Sequence, residues 1–483
     1  YQKIKYFDKN VAISSTTKKI SYKELNDTSQ KISTLLVNQK SSHQIVGIIG
    51  QRKFHAYYGI LGSIYSGCTY VPINEKYPLD RINKMINESG ISLLIGDKKS
   101  IYSIKDIINT SNVKSIILPE EQYEEIYNLS FKDIKIYFQE DLSQITQSKP
   151  TNQDQNKIAY ILFTSGSTGN PKGVQVTYEN LNSFINNFKK FYDLPIGYKA
   201  SQFFDLSFDP SNVDIFFTLI NGGQLCILDE LELTMPFDYI KRENINFWYS
   251  VPAIASFMYK MGFLTPNCFP DLKYSLFAGE ALPKVLSDAW QIAAPKSTIE
   301  NHYGPTEVTV TITRYLYKTN YKNRIFKNDN LPIGNIYDSH TYALVDKYFN
   351  KVSKGNKGHL IIKGQQVTNG YINDIQKTKA SFRKISWDKS NDLWYLTGDY
   401  AFLNDFGELE FLGRIDNQIK IAGRRIEIEE VEAAILKANI IKEIVVIPKK
   451  ESNGTIKSLI GFTTSKLSAD DINLIKISAT KFI

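Results

Sequence analysis

From Ile45 to about residue 330, short apolar runs alternate with stretches of helical periodicity, and that rhythm confines the chain to layered α/β folds with parallel strands. Ile45–Ile49 and Ser92–Ile95 read as strands, and His55–Tyr65 as a helix between them. Around Tyr249–Val251 a strand is expected to feed Pro252, whose fixed φ suits the first turn of a helix ending near Gly262. Ser275–Phe277 reads as another strand that runs directly into Ala278, Gly279 and Glu280. Open α/β sheets hold their ligands at strand ends, so the chemistry is sought in those loops. From Thr341 to Phe411 the pattern changes to β-hairpins, with Asn404–Gly407 as a turn. Beyond Gly413 it changes again: a hairpin across Ala422-Gly423, a helix over about Glu427–Lys437, two strands, and a last helix opened by Ser468–Asp471. A chain of 483 residues exceeds one ordinary core, which predicts a large unit followed by a small α+β one.

The loop with the most chemical content is Tyr160-Ile-Leu-Phe-Thr164-Ser165-Gly166-Ser167-Thr168-Gly169-Asn-Pro171-Lys172-Gly173. Its glycines let consecutive N–H groups converge on phosphate oxygens, its hydroxyls add donors, and Lys172 adds charge. The common phosphate loop needs Gly before the lysine and Ser or Thr after it; here Pro171 precedes and Gly173 follows. A flexible Ser/Gly linker is the plain alternative, and the strand-like residues on both sides oppose it.

Lys+Arg of 58 against Asp+Glu of 50 leaves +8 spread along the chain, with no dense basic run interleaved with aromatics, so a nucleic-acid partner is not expected. Cys68, Cys226 and Cys268 lie far apart, as buried hydrophobes in a reducing, cytoplasmic compartment would. No apolar run approaches the ~18 residues of a membrane span. The first residue is Tyr1, which leaves an upstream segment open.

The 160–173 segment resembles the loop of the adenylate-forming superfamily, which includes acyl-CoA synthetases, luciferases and the amino-acid adenylation domains of nonribosomal peptide synthetases and carrier-protein ligases. Downstream and in the family's order stand Asn301-His-Tyr303-Gly304-Pro305-Thr306-Glu307, Tyr395-Leu-Thr397-Gly398-Asp399, and Gly413-Arg414-Ile-Asp416 through Lys420, Gly423 and Glu427. Upstream, Ser21-Tyr22-Lys-Glu24-Leu25 and Gly67-Cys-Thr-Tyr70-Val-Pro72 fit as well. The resemblance implies a large multi-subdomain N-terminal α/β domain with a distorted β-barrel-like part over residues 1–415, and a small mobile α+β domain over 416–483 that turns about a hinge at Asp416.

The resemblance also implies a site for ATP and Mg²⁺. Thr164, Ser165, Gly166, Ser167, Thr168, Gly169 and Lys172 would hold the β- and γ-phosphates, Thr306 the α-phosphate side, and Glu307 the metal; Thr164, Lys172, Thr306 and Glu307 form its catalytic set. Tyr303 would stack on adenine, with Gly279, Glu280 and Ala281 opposite and Asn301, His302 and Gly304 beside it. Asp399 would accept the ribose hydroxyls, supported by Arg414 and Phe411. Glu427 reads as a helix-start residue.

In Ser207-Phe208-Asp209-Pro210-Ser211, Asp209 matches the carboxylate that receives an amino-acid ammonium, although Asp-Pro-Ser also reads as a helix start. A buried ammonium without a counter-charge is very costly, so Asp209 carries the substrate class. Position by position, the side-chain pocket would be lined by Pro210, Val213, Ser250, Leu276, Ala278, His302, Val310 and Thr311. The mixture favours a small or polar side chain such as alanine, serine or aspartate. The expected reaction is ATP-dependent formation of an aminoacyl-AMP with loss of pyrophosphate, then transfer to the phosphopantetheine thiol of an acyl or peptidyl carrier protein. The alternatives are an acyl- or aryl-acid:CoA ligase and a silent ATP-binding module with a protein partner. Two departures stand out. Ala278 occupies the place where D-alanine ligases have cysteine, which leaves chirality open. The chain also stops at Ile483, before the family's lysine-bearing segment, so the C-terminal domain is expected to be incomplete and the natural protein to carry that lysine.

Overall fold

A computed structural model describes all residues except 1–3, 5, 40–43, 123–130, 132, 151–152, 167–170, 319–325, 327–328, 391, 422, 451–455 and 480–483. Two large sheets carry the N-terminal part. One has seven strands in the order Lys135–Tyr137, Ser115–Ile117, Leu93–Ile95, Ile45–Ile49, Thr69–Ile73, Ile158–Thr164 and Lys172–Thr177, parallel except for the last pair. The other has nine: Asn335–Ile336, Thr313–Leu316, Thr298–Tyr303, Tyr274–Ala278, Phe247–Ser250, Lys199–Gln202, Gln224–Ile227, Val11–Ser14 and Lys19–Ser21. Its five central strands, from Thr298–Tyr303 to Gln224–Ile227, are mutually parallel.

The local signals behind these elements are the ones sequence offers. Phe54–Ser66 is the helix expected between two strands, stopped by Gly67 in the left-handed region at φ 75°. Pro252 opens the Pro252–Lys260 helix as its first residue. Between the large sheets, Tyr57, Leu162, Val176, Phe184, Phe217, Tyr249 and Leu276 belong to one core. A second core, around Trp248, Phe277 and Trp290, packs on the opposite face of the nine-stranded sheet.

The region expected as a distorted barrel is a five-stranded sheet built on His340–Val345, Gly358–Gly364, Phe382–Arg383, Trp394–Leu403 and Leu409–Arg414. Single bridges from Gly334 to Leu409 and from Val174 to Tyr371 tie it to the two large sheets. After it, Ile419–Ile421 pairs with Arg424–Ile426, the Ile428–Leu436 helix follows, and Val445–Lys450 pairs with Ile456–Phe462. The last helix, Ala469–Ala479, opens with a reciprocal cap: Asp471 N–H donates to Ser468 Oγ at 3.1 Å, and Ser468 N–H to Asp471 Oδ2 at 2.9 Å.

Candidate active site

The site forms where parallel strands of the two large sheets end and the 419–426 hairpin lies across them. At its floor is Asp209. Burial raises its carboxyl to about 7, against opposing hydrogen bonds from the Thr306 side chain and the Val310 backbone and the charge of Lys420. Asp209 Oδ2 has no partner. The residue begins a helical stretch, as Asp-Pro-Ser suggested, with Asn212 N–H bonding back to Asp209 O at 2.9 Å and Val213 N–H to Pro210 O at 2.9 Å. The next turn, Val213–Phe217, is a π-helix, a distortion concentrated at functional sites.

The backbone that reaches Asp209 is strained. Thr309 and Val310, both β-branched, have φ of 60° and 71°. Gln366, fully buried, holds them there: its Nε2 donates to Val308 O and Thr309 O at 3.2 Å and to Thr311 O at 2.9 Å. Thr309 Oγ1 answers by donating to Gln366 O at 2.7 Å. Gly304 is required beside this turn, since a Cβ there would stand 2.6 Å from Thr311 Cα.

Strand register sorts the expected side-chain pocket. Leu276 pairs with Tyr249 and with Glu300, and Ala278 with His302, so Tyr249, Leu276, Ala278 and His302 share one face. Ser250 pairs with Phe277 and belongs to the other face. Ser250 thus stands apart from the rest of the expected set, and Tyr249, which is not in that set, shares their face. The polar groups expected to reach a substrate are also already engaged. Burial keeps His302 neutral, below its usual pKa. Burial alone would raise Glu300, but hydrogen bonds from His302 and Arg314 outweigh it and keep it ionised. His302 Nε2–H thus donates to Glu300 Oε2 at 2.9 Å, leaving Nδ1 to accept from the Tyr337 hydroxyl at 3.2 Å. Thr311 Oγ1, 2.8 Å from the same hydroxyl, completes the chain as its donor. Val213 and Val310 add apolar surface to the same core, and Pro210 lies half-buried next to Asp209.

The expected nucleotide groups converge on the edge of this floor. The Tyr303 hydroxyl donates to Asp399 Oδ2, and Arg414 Nη1 to Asp399 Oδ1 at 2.8 Å. Arg414 reaches on to both oxygens of Asp416, at 2.7 and 2.6 Å. The rings of Tyr303 and Phe411 are 6.5 Å apart. Asn301 Nδ2 donates to Pro332 O at 2.8 Å, while its Oδ1 has no partner. Glu280 accepts from Ala253 N–H at 3.1 Å and from Gly423 N–H at 3.0 Å. Gly279, at φ 90°, lies so close to the hairpin that a Cβ would be 3.4 Å from Gly423 Cα, and Ala281 follows half-buried.

On the phosphate side, Thr164 Oγ1 is shielded and unpartnered, and Ser165 Oγ donates to Arg425 O at 2.9 Å. Gly166 is buried beside them. Ser167, Thr168 and Gly169 lie outside the described residues. Lys172 Nζ is 3.5 Å from Glu427 Oε1, and Arg425 Nη1 is 3.2 Å from both oxygens of Glu307, which also accepts from the Tyr371 hydroxyl at 2.8 Å. Burial depresses the Lys420 ammonium, which lies under the influence of Asp399 and Asp209. Glu427 does sit at the N-cap of the Ile428–Leu436 helix, but its side chain makes no cap there and turns instead to Lys172 and Gln418.

With this geometry in place, likeness to known proteins becomes specific. The family described as "AMP-binding enzyme" matches residues 2–372. The chain belongs to that family. It is 32% identical over 405 residues to the D-alanine–D-alanyl carrier protein ligase of Bacillus velezensis, covering 82% of this chain and 74% of that protein. The ligase of the same name from Lacticaseibacillus rhamnosus is 31% identical over 420 residues, covering 83% and 74%. Among solved structures, the Vibrio cholerae adenylation domain AlmE in complex with glycyl-adenosine-5'-phosphate superposes with a TM-score of 0.90 at 26% identity, covering all of this chain and 91% of that one.

For an AMP-binding enzyme the donor set around Glu307 matters. Among the described residues no group of three or more His, Cys, Asp or Glu could hold a metal. A single carboxylate suits Mg²⁺, which takes one or two protein ligands together with phosphate oxygens and water. Glu307 is a carboxylate of that kind, with both oxygens bonded here to Arg425. No helix among the described residues is long and apolar enough to cross a membrane.

Proposed function

We propose that this AMP-binding enzyme activates a small amino acid with ATP and passes it to a carrier-protein thiol in the cytoplasm. In the first step a carboxylate oxygen of the amino acid attacks the α-phosphorus, the bond to the bridging oxygen of pyrophosphate breaks, and aminoacyl-AMP and pyrophosphate result. In the second the phosphopantetheine sulfur, losing its proton, attacks the acyl carbon and AMP leaves. The observation that carries the reading is Asp209: a buried carboxylate with one oxygen unpartnered at the floor of the site. Such a group is costly until a cation arrives, and an amino-acid ammonium is the cation the reaction supplies.

The remaining roles are those that the resemblance implies, and the grouping of these residues around Asp209 supports them. Thr164, Ser165 and Lys172, with the neighbouring loop, receive the β- and γ-phosphates, and Thr306 ends at the α-phosphate. Tyr303 stacks on adenine, while Asp399 exchanges the Tyr303 and Arg414 contacts for ribose hydroxyls. Mg²⁺, held by Glu307, would offset phosphate charge. Residues 1–415 and 416–483 act as separate units about Asp416, since Arg425 and Glu427 now occupy Glu307 and Lys172, the groups that ATP and its metal need free. The arrangement with the 419–426 hairpin docked thus suits the state after pyrophosphate departs.

The test is amino-acid-dependent pyrophosphate exchange by the natural full-length protein and by Asp209→Ala. Loss of exchange by at least about 100-fold in the variant is expected, because an unpaired buried ammonium costs several kcal/mol. Equal exchange by both proteins would overturn the role of Asp209, and exchange with acids lacking an amine would replace the proposed function by that of a CoA-type ligase.

A further inference from the structure

The relatives and the solved neighbour name two substrates, D-alanine and glycine, that differ by one methyl group. The pocket face bears on that choice. Tyr249, Leu276 and Ala278 belong to one continuous core, and the Leu276 register puts Tyr249 on the same face as Leu276, Ala278 and His302, three residues of the expected side-chain pocket. Tyr249 is fully buried. Its ring is centred 4.9 Å from that of Phe204 and 6.2 Å from that of His302, spanning from the loop before Asp209 to the His302 strand. Aromatic side chains bury roughly 150–250 Å², far more than the methyl of Ala278 beside it.

The polar tip gives a second, independent observation. The Tyr249 hydroxyl has no hydrogen-bond partner, and neither has Asp209 Oδ2. Burial raises the Tyr249 phenol, with the charges of Tyr337, Asp209 and Asp214 adding to it in that order. A buried phenol usually finds a partner. An ammonium brings three N–H donors, enough to satisfy both vacant acceptors.

We propose that Tyr249 is the specificity-determining residue of this site: its ring fills the space of a substrate side chain, its hydroxyl shares the ammonium with Asp209, and the amino acid accepted is glycine rather than alanine of either hand. The inference rests on the amino-acid-activating reading above and names the substrate within it. Sequence comparison alone pointed at Ser250 instead, one residue away and on the opposite face.

The experiment is pyrophosphate exchange with glycine, D- and L-alanine, D- and L-serine and valine, on the full-length protein and on Tyr249→Val, Tyr249→Leu and Tyr249→Phe. The unaltered protein is expected to prefer glycine. Tyr249→Val and Tyr249→Leu should shift the alanine-to-glycine ratio of kcat/KM toward alanine by about 10–200-fold, the range that one methyl group commands. Tyr249→Phe, which keeps the ring, should hold the ratio and raise the KM for glycine. Use of alanine or serine as readily as glycine by the unaltered protein overturns the inference without any variant having to fold. An unmoved ratio in a folded Tyr249→Val, or a ratio moved as far by Tyr249→Phe, overturns it too. Exchange by the unaltered protein with no amino acid at all defeats the functional reading itself, and the inference falls with it.

Discussion

The Arg425 guanidinium lies 3.2 Å from both carboxylate oxygens of Glu307, joining residues 118 positions apart in sequence. Burial alone would raise Glu307, but the Arg425 charge and the Tyr371 hydrogen bond prevail and hold it below the usual carboxylate range. The pair is therefore charged, and it can exist only while the hairpin is docked. On the proposed reading, removing Arg425 would free Glu307 for the ATP-bound state and weaken the docked one. Arg425→Ala is expected to retain pyrophosphate exchange and to lose at least about tenfold in transfer to the carrier thiol, the discount reflecting a buried pair that can relax by undocking. Single-turnover transfer from preformed aminoacyl-AMP measures this. Equal losses in both steps would show that the ion pair does not distinguish them.

The Asp209 carboxyl, raised to about 7 by burial, sets a pH dependence of definite sign. Its folded pKa lies above the unfolded value of ~3.9, so the neutral form is the one the empty site favours, and stability is lost as pH rises through about 7. Substrate binding needs the opposite form. The KM for the amino acid should rise as pH falls below about 7, while that for ATP changes less. Asp209→Asn should abolish activation yet raise the melting temperature of the ligand-free protein by about 2 °C at pH 8 and by only about a third of that at pH 5, since the penalty accrues between ~3.9 and about 7. A melting temperature unchanged at both values would remove the claim that the empty site pays for an ionised Asp209.

Gln366 holds the strained 308–311 turn through three carbonyls. Gln366→Leu keeps much of the volume and leaves those acceptors without their donor, a cost of about 1–3 kcal/mol. Because Val310 N–H supports Asp209, the effect should fall on the amino-acid KM, raised about fivefold or more, with the ATP KM nearly unchanged, again within the range of one or two lost hydrogen bonds. A parallel rise in both would mean that Gln366 supports the fold generally rather than this turn.

What the sequence made legible is what its motifs keep contiguous. The Tyr160–Gly173 and Asn301–Glu307 segments begin in strands that end at Thr164 and Tyr303, Tyr395–Asp399 lies within the Trp394–Leu403 strand of a third sheet, and the Tyr303 hydroxyl bond to Asp399 joins the last two. Gln366 was not legible, because it sits in no motif and meets the turn from 55–58 residues away. That Tyr249 rather than Ser250 shares the face of Leu276 and Ala278 escaped for a different reason. Phe247–Ser250 is buried at every position, so both faces of the strand are apolar and no alternation reveals which one lines the pocket. Thr311 and His302 are expected beside the substrate, and their hydrogen bonds to the shared Tyr337 hydroxyl could be seen only in three dimensions. The hairpin's ion pairs escaped for the same reason: Glu427 at the start of a helix reads as local chemistry, and Lys172, its partner, is 255 residues away.

Gly423 offers the most selective test of the docked state. Its φ is 76°, and a Cβ there would come within 2.4 Å of Val251 Cγ1. Gly423→Ala therefore carries two penalties, a left-handed backbone worth roughly 1–2 kcal/mol and a collision with the Val251 side chain. The backbone penalty weighs on the hairpin in every arrangement, whereas the collision exists only when the hairpin lies over Val251 and Glu280. Adenylate formation should thus survive, and thiol transfer should fall by about tenfold or more, about 1.4 kcal/mol corresponding to each factor of ten. Val251→Ala in the same protein removes the collision and leaves the strained φ, so it should restore part of the transfer rate. Full restoration would assign the whole effect to the collision, and none would assign it to the backbone. A loss of adenylate formation equal to the loss of transfer would mean that the hairpin stays over the site in both steps.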